Sequence, residues 1–194
     1  MKHAILALVA GLCLCAGAAA AQTSASPSAS PHVTDTSFVM ADGAKALQQS
    51  VVIDAPVAIL WKAFTDAEEF KRWNSPVAAI DLRVGGSLEA SYDPKKVLGD
   101  PDNIKHRIIT YLPERMVVFQ NIQAPHDLPH ADRFQRTVTV VSYEPLGPDR
   151  TRVTISCTGW QTDPESDRLY RFFQTDNAEI LEKMKTVYET HAAP

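Results

Sequence analysis

Four residues of metal-ligating type crowd one short stretch: His126, Asp127, His130 and Asp132 in Ala-Pro-His-Asp-Leu-Pro-His-Ala-Asp, residues 124–132. A His-x-x-x-His spacing sets two imidazoles on one face of a helix, an arrangement that suits zinc. Pro125 and Pro129 interrupt any regular helix there. The stretch therefore reads as a solvated loop between strands and a candidate lid for a cavity mouth, with no metal and no cofactor. A second candidate is His106 in Ile-Lys-His-Arg-Ile-Ile-Thr-Tyr-Leu, residues 104–112. An imidazole titrates near neutrality and can act as a general base when it lines a cavity. Strand alternation groups it with Ile108 and Thr110, against Arg107, Ile109 and Tyr111. Both sets are mixed, so periodicity leaves its face open. Cys157 alternates with Val153 and Ile155 and reads as a small buried apolar residue. No Gly-x-Ser-x-Gly and no phosphate loop occur, and nothing resembles a nucleophile with an orienting base.

The elements that must position these groups follow from hydrophobic period and turn chemistry. Ala-Leu-Gln-Gln-Ser-Val-Val-Ile-Asp-Ala-Pro, residues 46–56, is a strand stopped by Pro56. Val57, Leu60, Trp61 and Phe64 recur at helical spacing. Asp66 and Glu69 form a capping-box pattern for a second short helix carrying Phe70 and Trp73. Six strands are then expected at about 77–84, 87–92, 104–112, 115–122, 133–144 and 150–160, punctuated by Gly85-Gly86, Leu-Pro-Glu-Arg and Leu-Gly-Pro-Asp. Arg83 and Glu89 flank the first of these turns and are expected to pair at the surface. A long helix from about Pro164 to Tyr188 closes the chain, with Thr162 and Glu165 as its capping box. Leu169, Phe173, Ile180, Met184 and Val187 form one apolar stripe. Asp176 and Asn177 interrupt it, and a polar group on a buried stripe needs a hydrogen-bonding partner.

Composition bounds the rest. The chain has 194 residues, 45% of them apolar, and a formal charge of −4. That balance, without any Lys/Arg cluster, excludes a phosphate-reading nucleic-acid surface. Met1-Lys2-His3, the apolar run Ala4 to Gly17, and Ala18 to Ala21 read as a secretory signal peptide, residues 1–21, cleaved before Gln22. The run is shorter than the ~20 apolar residues of a membrane span, so no stable membrane insertion is expected once it is removed. Leu12 and Leu14 precede Cys13 and Cys15 where a lipidation site wants a small residue. Residues 22–37, rich in Ser, Ala, Pro and Thr, read as a flexible linker, and 38–190 as one folded domain in a secreted or periplasmic protein.

Val51-to-Asn74, Asp81-to-Tyr92, the Tyr111-to-Gln120 hairpin, Thr151-to-Trp160 and the closing amphipathic helix together resemble the START-like, SRPBCC superfamily. Within it the chain is most similar to the branch named for activators of heat-shock protein 90 ATPase. The likeness covers roughly 45–188. It implies an α+β helix-grip fold: a seven-stranded curved antiparallel sheet gripping a long C-terminal helix around a cavity, with two short helices after the first strand. It also implies that many members bind apolar small molecules and that a minority catalyse cyclisation or dehydration. The chaperone activity does not carry over to an exported chain, which meets neither a cytoplasmic chaperone nor ATP.

On this reading the cavity is walled by Trp73, Leu88, Tyr92 and Phe119, and by Trp160, Phe173 and Met184 from the chain's last third. Asn177 serves as the polar anchor for the ligand's head. Three functions compete: an exported protein binding an apolar or amphipathic small molecule, a cyclase- or dehydratase-like enzyme using His106 with Asp176 or Asn177, and a non-catalytic interaction module whose cavity is filled by its own side chains. The first is preferred, because no catalytic constellation is legible.

Overall fold

The computed structural model describes residues 30–190. The expected signal peptide and the first part of the expected linker lie outside the described residues. Seven strands, β3 (Lys45–Ile53), β4 (Val77–Ile80), β5 (Ser87–Ser91), β6 (Ile104–Leu112), β7 (Met116–Gln123), β8 (Val138–Gly147) and β9 (Arg150–Thr158), form one antiparallel sheet in the order β3-β9-β8-β7-β6-β5-β4. Two further strands of two residues each, β1 (Thr34–Asp35) and β2 (Phe38–Val39), pair along the outer edge of β3. The folded unit therefore begins before Phe38. Asp35 explains why: its carboxylate accepts from the amides of Gln49 (3.1 Å) and Gln174 (2.9 Å), tying the edge to the sheet and to the last helix.

Two short helices, α1 (Val57–Thr65) and α2 (Ala67–Trp73), follow β3 as expected. Asp66 caps α2 by accepting from the Glu69 amide at 2.9 Å. A one-turn helix α3 (Ala131–Phe134) occupies residues expected to begin a strand, and β8 starts only at Val138. Thr137 donates back to the Phe134 carbonyl (2.8 Å) and holds that turn closed. The last helix, α4 (Pro164–Thr190), is 27 residues long, about 40 Å at the α-helical rise. Asp163, not Thr162, caps it, accepting from the Ser166 amide at 2.9 Å.

Gly85 and Gly86 make the tight turn expected between two strands, with Gly86 donating to the Arg83 carbonyl at 2.8 Å and Gly85 at φ +80°, although the first strand stops earlier than expected. β4 ends at Ile80, and the loop after it carries a backbone exchange in which Gly85 donates to the Ile108 carbonyl and Ile108 donates to the Gly86 carbonyl, both at 2.8 Å. A Cβ on Gly86 would lie 2.1 Å from the Asp81 carbonyl oxygen, so only glycine fits. The expected Arg83–Glu89 pair does not form. Arg83 pairs with Asp81 at 2.8 Å. Glu89 is 8% exposed, pairs with Lys105 at 3.1 Å, and accepts from Asn103 (2.8 Å) and the Gly99 amide. It thus pins the loop between β5 and β6 to the sheet.

Two apolar clusters hold the layers together. The larger joins β3 to β9, α1, α2 and the C-terminal half of α4 through Leu181, Met184 and Tyr188. The smaller joins Leu47, Phe134, Cys157, Trp160 and Leu169, with Phe173 packed against it. The buried stripe of α4 departs from the expected one in its second half: Leu181 and Tyr188 are sealed, while Ile180 and Val187 are only partly covered. Leu181 is fully buried. Leu181→Ala is expected to lower unfolding free energy by about 2–5 kcal/mol, from lost burial plus the cavity left behind, measured by urea denaturation with an unchanged m-value.

Candidate functional site

A cavity of about 450 Å³ lies between α4 and the inner face of the sheet. Its walls take residues from both clusters, Phe64, Phe70, Leu88, Phe119 and Ile155 from the larger and Phe134, Cys157, Phe173 and Leu128 from the smaller. The cavity is the space the two clusters leave between them. Polar groups are a minority of the lining: Asn74, Tyr92, His106, Asp127, Thr139, Asp176 and Asn177. That composition, an apolar box with a few polar groups, is the usual make-up of a small-molecule site, and the volume falls in the usual range of about 300–1,000 Å³.

Leu88, Tyr92, Phe119, Phe173 and Asn177 line the cavity as expected. Trp73, Trp160 and Met184 do not. Trp73 is 2% exposed, packs edge-on against Phe64, Phe70 and Tyr188, and donates from Nε1 to the Ala63 carbonyl at 2.8 Å. Trp160 is equally enclosed, between Tyr170 and Phe173, and donates to the Cys157 carbonyl at 3.0 Å. Met184 has no exposed surface at all. Each is a large side chain whose every face is already covered, which is core packing. The walls missed by the sequence reading are Phe64 and Phe70 on the short helices and Phe134 on α3. Phe64 and Phe70 were signalled only by helical period, which cannot separate a residue facing a void from one facing a neighbour, and Phe134 stood at the start of an expected strand.

The two polar positions that interrupt the α4 stripe, Asp176 and Asn177, both reach the cavity. Burial pushes the Asp176 carboxyl above its usual value, and Glu179 on the next turn adds to the effect. Tyr92, across the opening, has its phenol raised by burial and by the Asp176 charge, with the Asn74 amide acting the other way. His106 also lines the cavity, which resolves the open question of its face. Its ring sits between Phe119 and Phe134, with both centroids 5.9 Å away, and its Nδ1 is buried without a hydrogen-bond partner. Burial alone drives its pKa down to about 4, so the imidazole is neutral across the physiological range. The register shift between Ile108 and Thr110, which leaves Ile109 of β6 unpaired, explains why neither alternating set of β6 looked uniformly apolar.

The 124–132 stretch forms one wall. Pro125, Asp127, Leu128 and Pro129 face the cavity, while His126 turns away and pairs with Asp102. Asp102 accepts from the His126 backbone (2.8 Å) and ring (2.7 Å) and pairs with Lys96 at 3.3 Å. Asp132 pairs with Arg133 at 2.7 Å. Among the described residues no group of three or more His, Cys, Asp or Glu side chains is arranged around a metal position.

A sequence model of the family described as "Activator of Hsp90 ATPase homolog 1-like protein" matches residues 54–189. The chain belongs to that family. The match runs from just after β3 to the end of α4 and takes in every wall of the cavity. Among solved structures, the solution structure of the Aha1 dimer from Colwellia psychrerythraea is similar at 15% identity with a TM-score of 0.59, covering 76% of this chain and 98% of that one. The crystal structure of CalU16 from Micromonospora echinospora is similar at 17% identity with a TM-score of 0.58, covering 84% and 87%. The protein of unknown function EF2215 from Enterococcus faecalis is similar at 18% identity with a TM-score of 0.56, covering 82% and 80%. Likeness at these identities is likeness of fold. No curated protein matches the chain.

Within this Hsp90-activator-like fold, two titrations give measurable consequences. Asp102 is held near 2, chiefly by the backbone and ring of His126, and His126 is raised in turn by Asp102. The pairing is complete below the ordinary histidine value of 6.5 and is lost as pH rises through the raised value of His126. Asp102→Asn is expected to speed amide hydrogen exchange across residues 124–130, read by mass spectrometry, with little change at α4.

His106 has the opposite sign. Its folded value of about 4 lies below the ordinary 6.5, so the unfolded chain binds the extra proton between those values. Stability from this source is fully present above 6.5 and falls as pH drops toward 4. Cys157 and Tyr92 stay neutral in that window, and the carboxyl of Asp176 is the other cavity group whose value is raised by burial. His106→Leu is expected to flatten the slope of unfolding free energy against pH across this window, measured by urea titration at several pH values.

Proposed function

We propose that this chain is an exported protein that holds an apolar or amphipathic small molecule in the cavity between α4 and the sheet. The observation that carries this reading is a 450 Å³ space walled by Phe64, Phe119, Phe134 and Phe173 yet left unfilled by any side chain. Burying about 200 Å² of apolar ligand surface there contributes about 5 kcal/mol before the entropy of association is subtracted. Asn177 and Tyr92 at the opening give a polar head somewhere to bind. Family membership supports the same reading, because the helix-grip fold is one that encloses such ligands.

A cyclase- or dehydratase-like reaction is less well supported. A general base works best when its pKa lies near the working pH, and His106 has been driven far below it by burial. The filled-core interaction module is disfavoured by the open space itself. Chaperone ATPase activation is set aside on the expected export, which N-terminal sequencing of the mature protein tests directly: a chain starting at Gln22 supports it, and one starting at Met1 removes it.

Native mass spectrometry of protein recovered from the exported fraction is expected to show a retained adduct of a few hundred daltons, on the scale of a ligand that fills such a pocket. Ile180 lines the cavity from α4 and is only partly covered. Ile180→Trp should fill the space, abolishing the adduct and the binding of N-phenyl-1-naphthylamine while the far-UV spectrum and melting transition persist. Wild-type protein that carries no adduct and binds no such probe would contradict the reading.

A further inference from the structure

The charges around the cavity say what kind of head group it accepts. Two carboxylates line it, Asp127 from the 124–130 loop and Asp176 from α4. Among the described residues no Lys or Arg lines it. Lys183 stands outside the lining, donating to the Asn74 carbonyl at 3.3 Å, and Lys96 is occupied by Asp100 and Asp102. An anionic ligand would lose its hydration shell without gaining a cation and would face two like charges. The remaining polar groups, Asn74, Tyr92, Thr139, Asn177 and His106, are uncharged donors and acceptors.

His106 narrows the choice further. Its ring lies between two phenyl rings with a buried nitrogen that no protein group satisfies. A neutral imidazole offers one N–H and one bare nitrogen, and which nitrogen carries the proton depends on its partner. A hydroxyl both donates and accepts, so it complements either tautomer. A carboxylate complements only the N–H.

We infer that the cavity is built for an apolar ligand bearing an uncharged hydroxyl, and that it discriminates against the corresponding carboxylate through Asp127 and Asp176 while His106 receives the hydroxyl. This inference rests on the binding reading above. The depressed basicity of His106 agrees with it, since an imidazolium in that position would have favoured an anion instead.

The test compares decan-1-ol with decanoate at pH 8, each displacing N-phenyl-1-naphthylamine from the full mature protein. Solvation alone favours the alcohol in any apolar pocket, so the variants decide. In the Asp127→Asn, Asp176→Asn double variant, the ratio of decanoate to decanol dissociation constants is expected to fall by about tenfold, because two like charges have been removed. His106→Leu is expected to weaken decanol more than it weakens the probe, which has no hydroxyl. A ratio unchanged by the double variant, or decanol and probe affected equally by His106→Leu, would overturn the inference and leave the binding reading standing. Decanoate binding wild type as tightly as decanol would do the same. Absence of any probe binding to wild type would overturn both.

Discussion

The cavity exists because α4 is anchored on either side of a stretch whose side chains do not fill the hollow of the sheet. Toward its C-terminus Leu181, Met184 and Tyr188 are sealed against the larger cluster, and Tyr188 donates to Glu69 on α2 at 2.6 Å. Toward its N-terminus Leu169 and Phe173 join the smaller cluster, with Phe173 stacked on Phe134 at 4.5 Å. Between these anchors the helix turns Asp176, Asn177 and Ile180 toward the cavity, and these side chains leave it unfilled. A straight helix pinned at two points above a curved surface must bridge the hollow between them. The buried Gln49 adds a third fixed point, donating to the Gln174 carbonyl at 2.9 Å on the near side of the gap.

The other walls depend on polar ties of a different kind. Loops carry backbone groups that need partners, and here buried or half-buried carboxylates and amides supply them. Glu89 and Asn103 hold the loop after β5. Gln123 donates to the carbonyls of Asp100 (3.1 Å) and Asn103 (2.9 Å). Asp102 then holds His126, and through it the loop that forms the cavity's outer wall. The mouth is thus fixed by a chain of polar contacts that runs from buried Asn103 out to exposed His126, and the floor by dry packing. Local opening should begin where the contacts are wet.

The architecture was legible in the sequence because it rests on long periodic segments. The α4 stripe, the six strands after α2 and the Asp66 cap are each written in several residues at once. The misplaced features rest on single contacts between distant positions. Nothing near Thr34 announces that Asp35 will meet Gln174, and the proline-rich stretch gives no hint that its next residues turn into α3. The cavity walls show the same divide. Asn177 was legible because a polar residue on an apolar stripe needs an explanation. Trp73, Trp160 and Met184 were assigned to the wall because they are large and apolar, which is equally what makes them the best core. His106 resisted reading because an extra residue in β6, Ile109, breaks the alternation on which a face is judged.

The central claim is that α4 leaves an unfilled apolar space between its Phe173–Ile180 stretch and the sheet. A crystal of the protein pressurised with xenon tests this directly, since dry apolar cavities take up the gas. The account predicts an anomalous peak enclosed by Phe119, Phe134, Phe173 and Ile180. Electron density showing those side chains in mutual contact, with no peak between them, would contradict it.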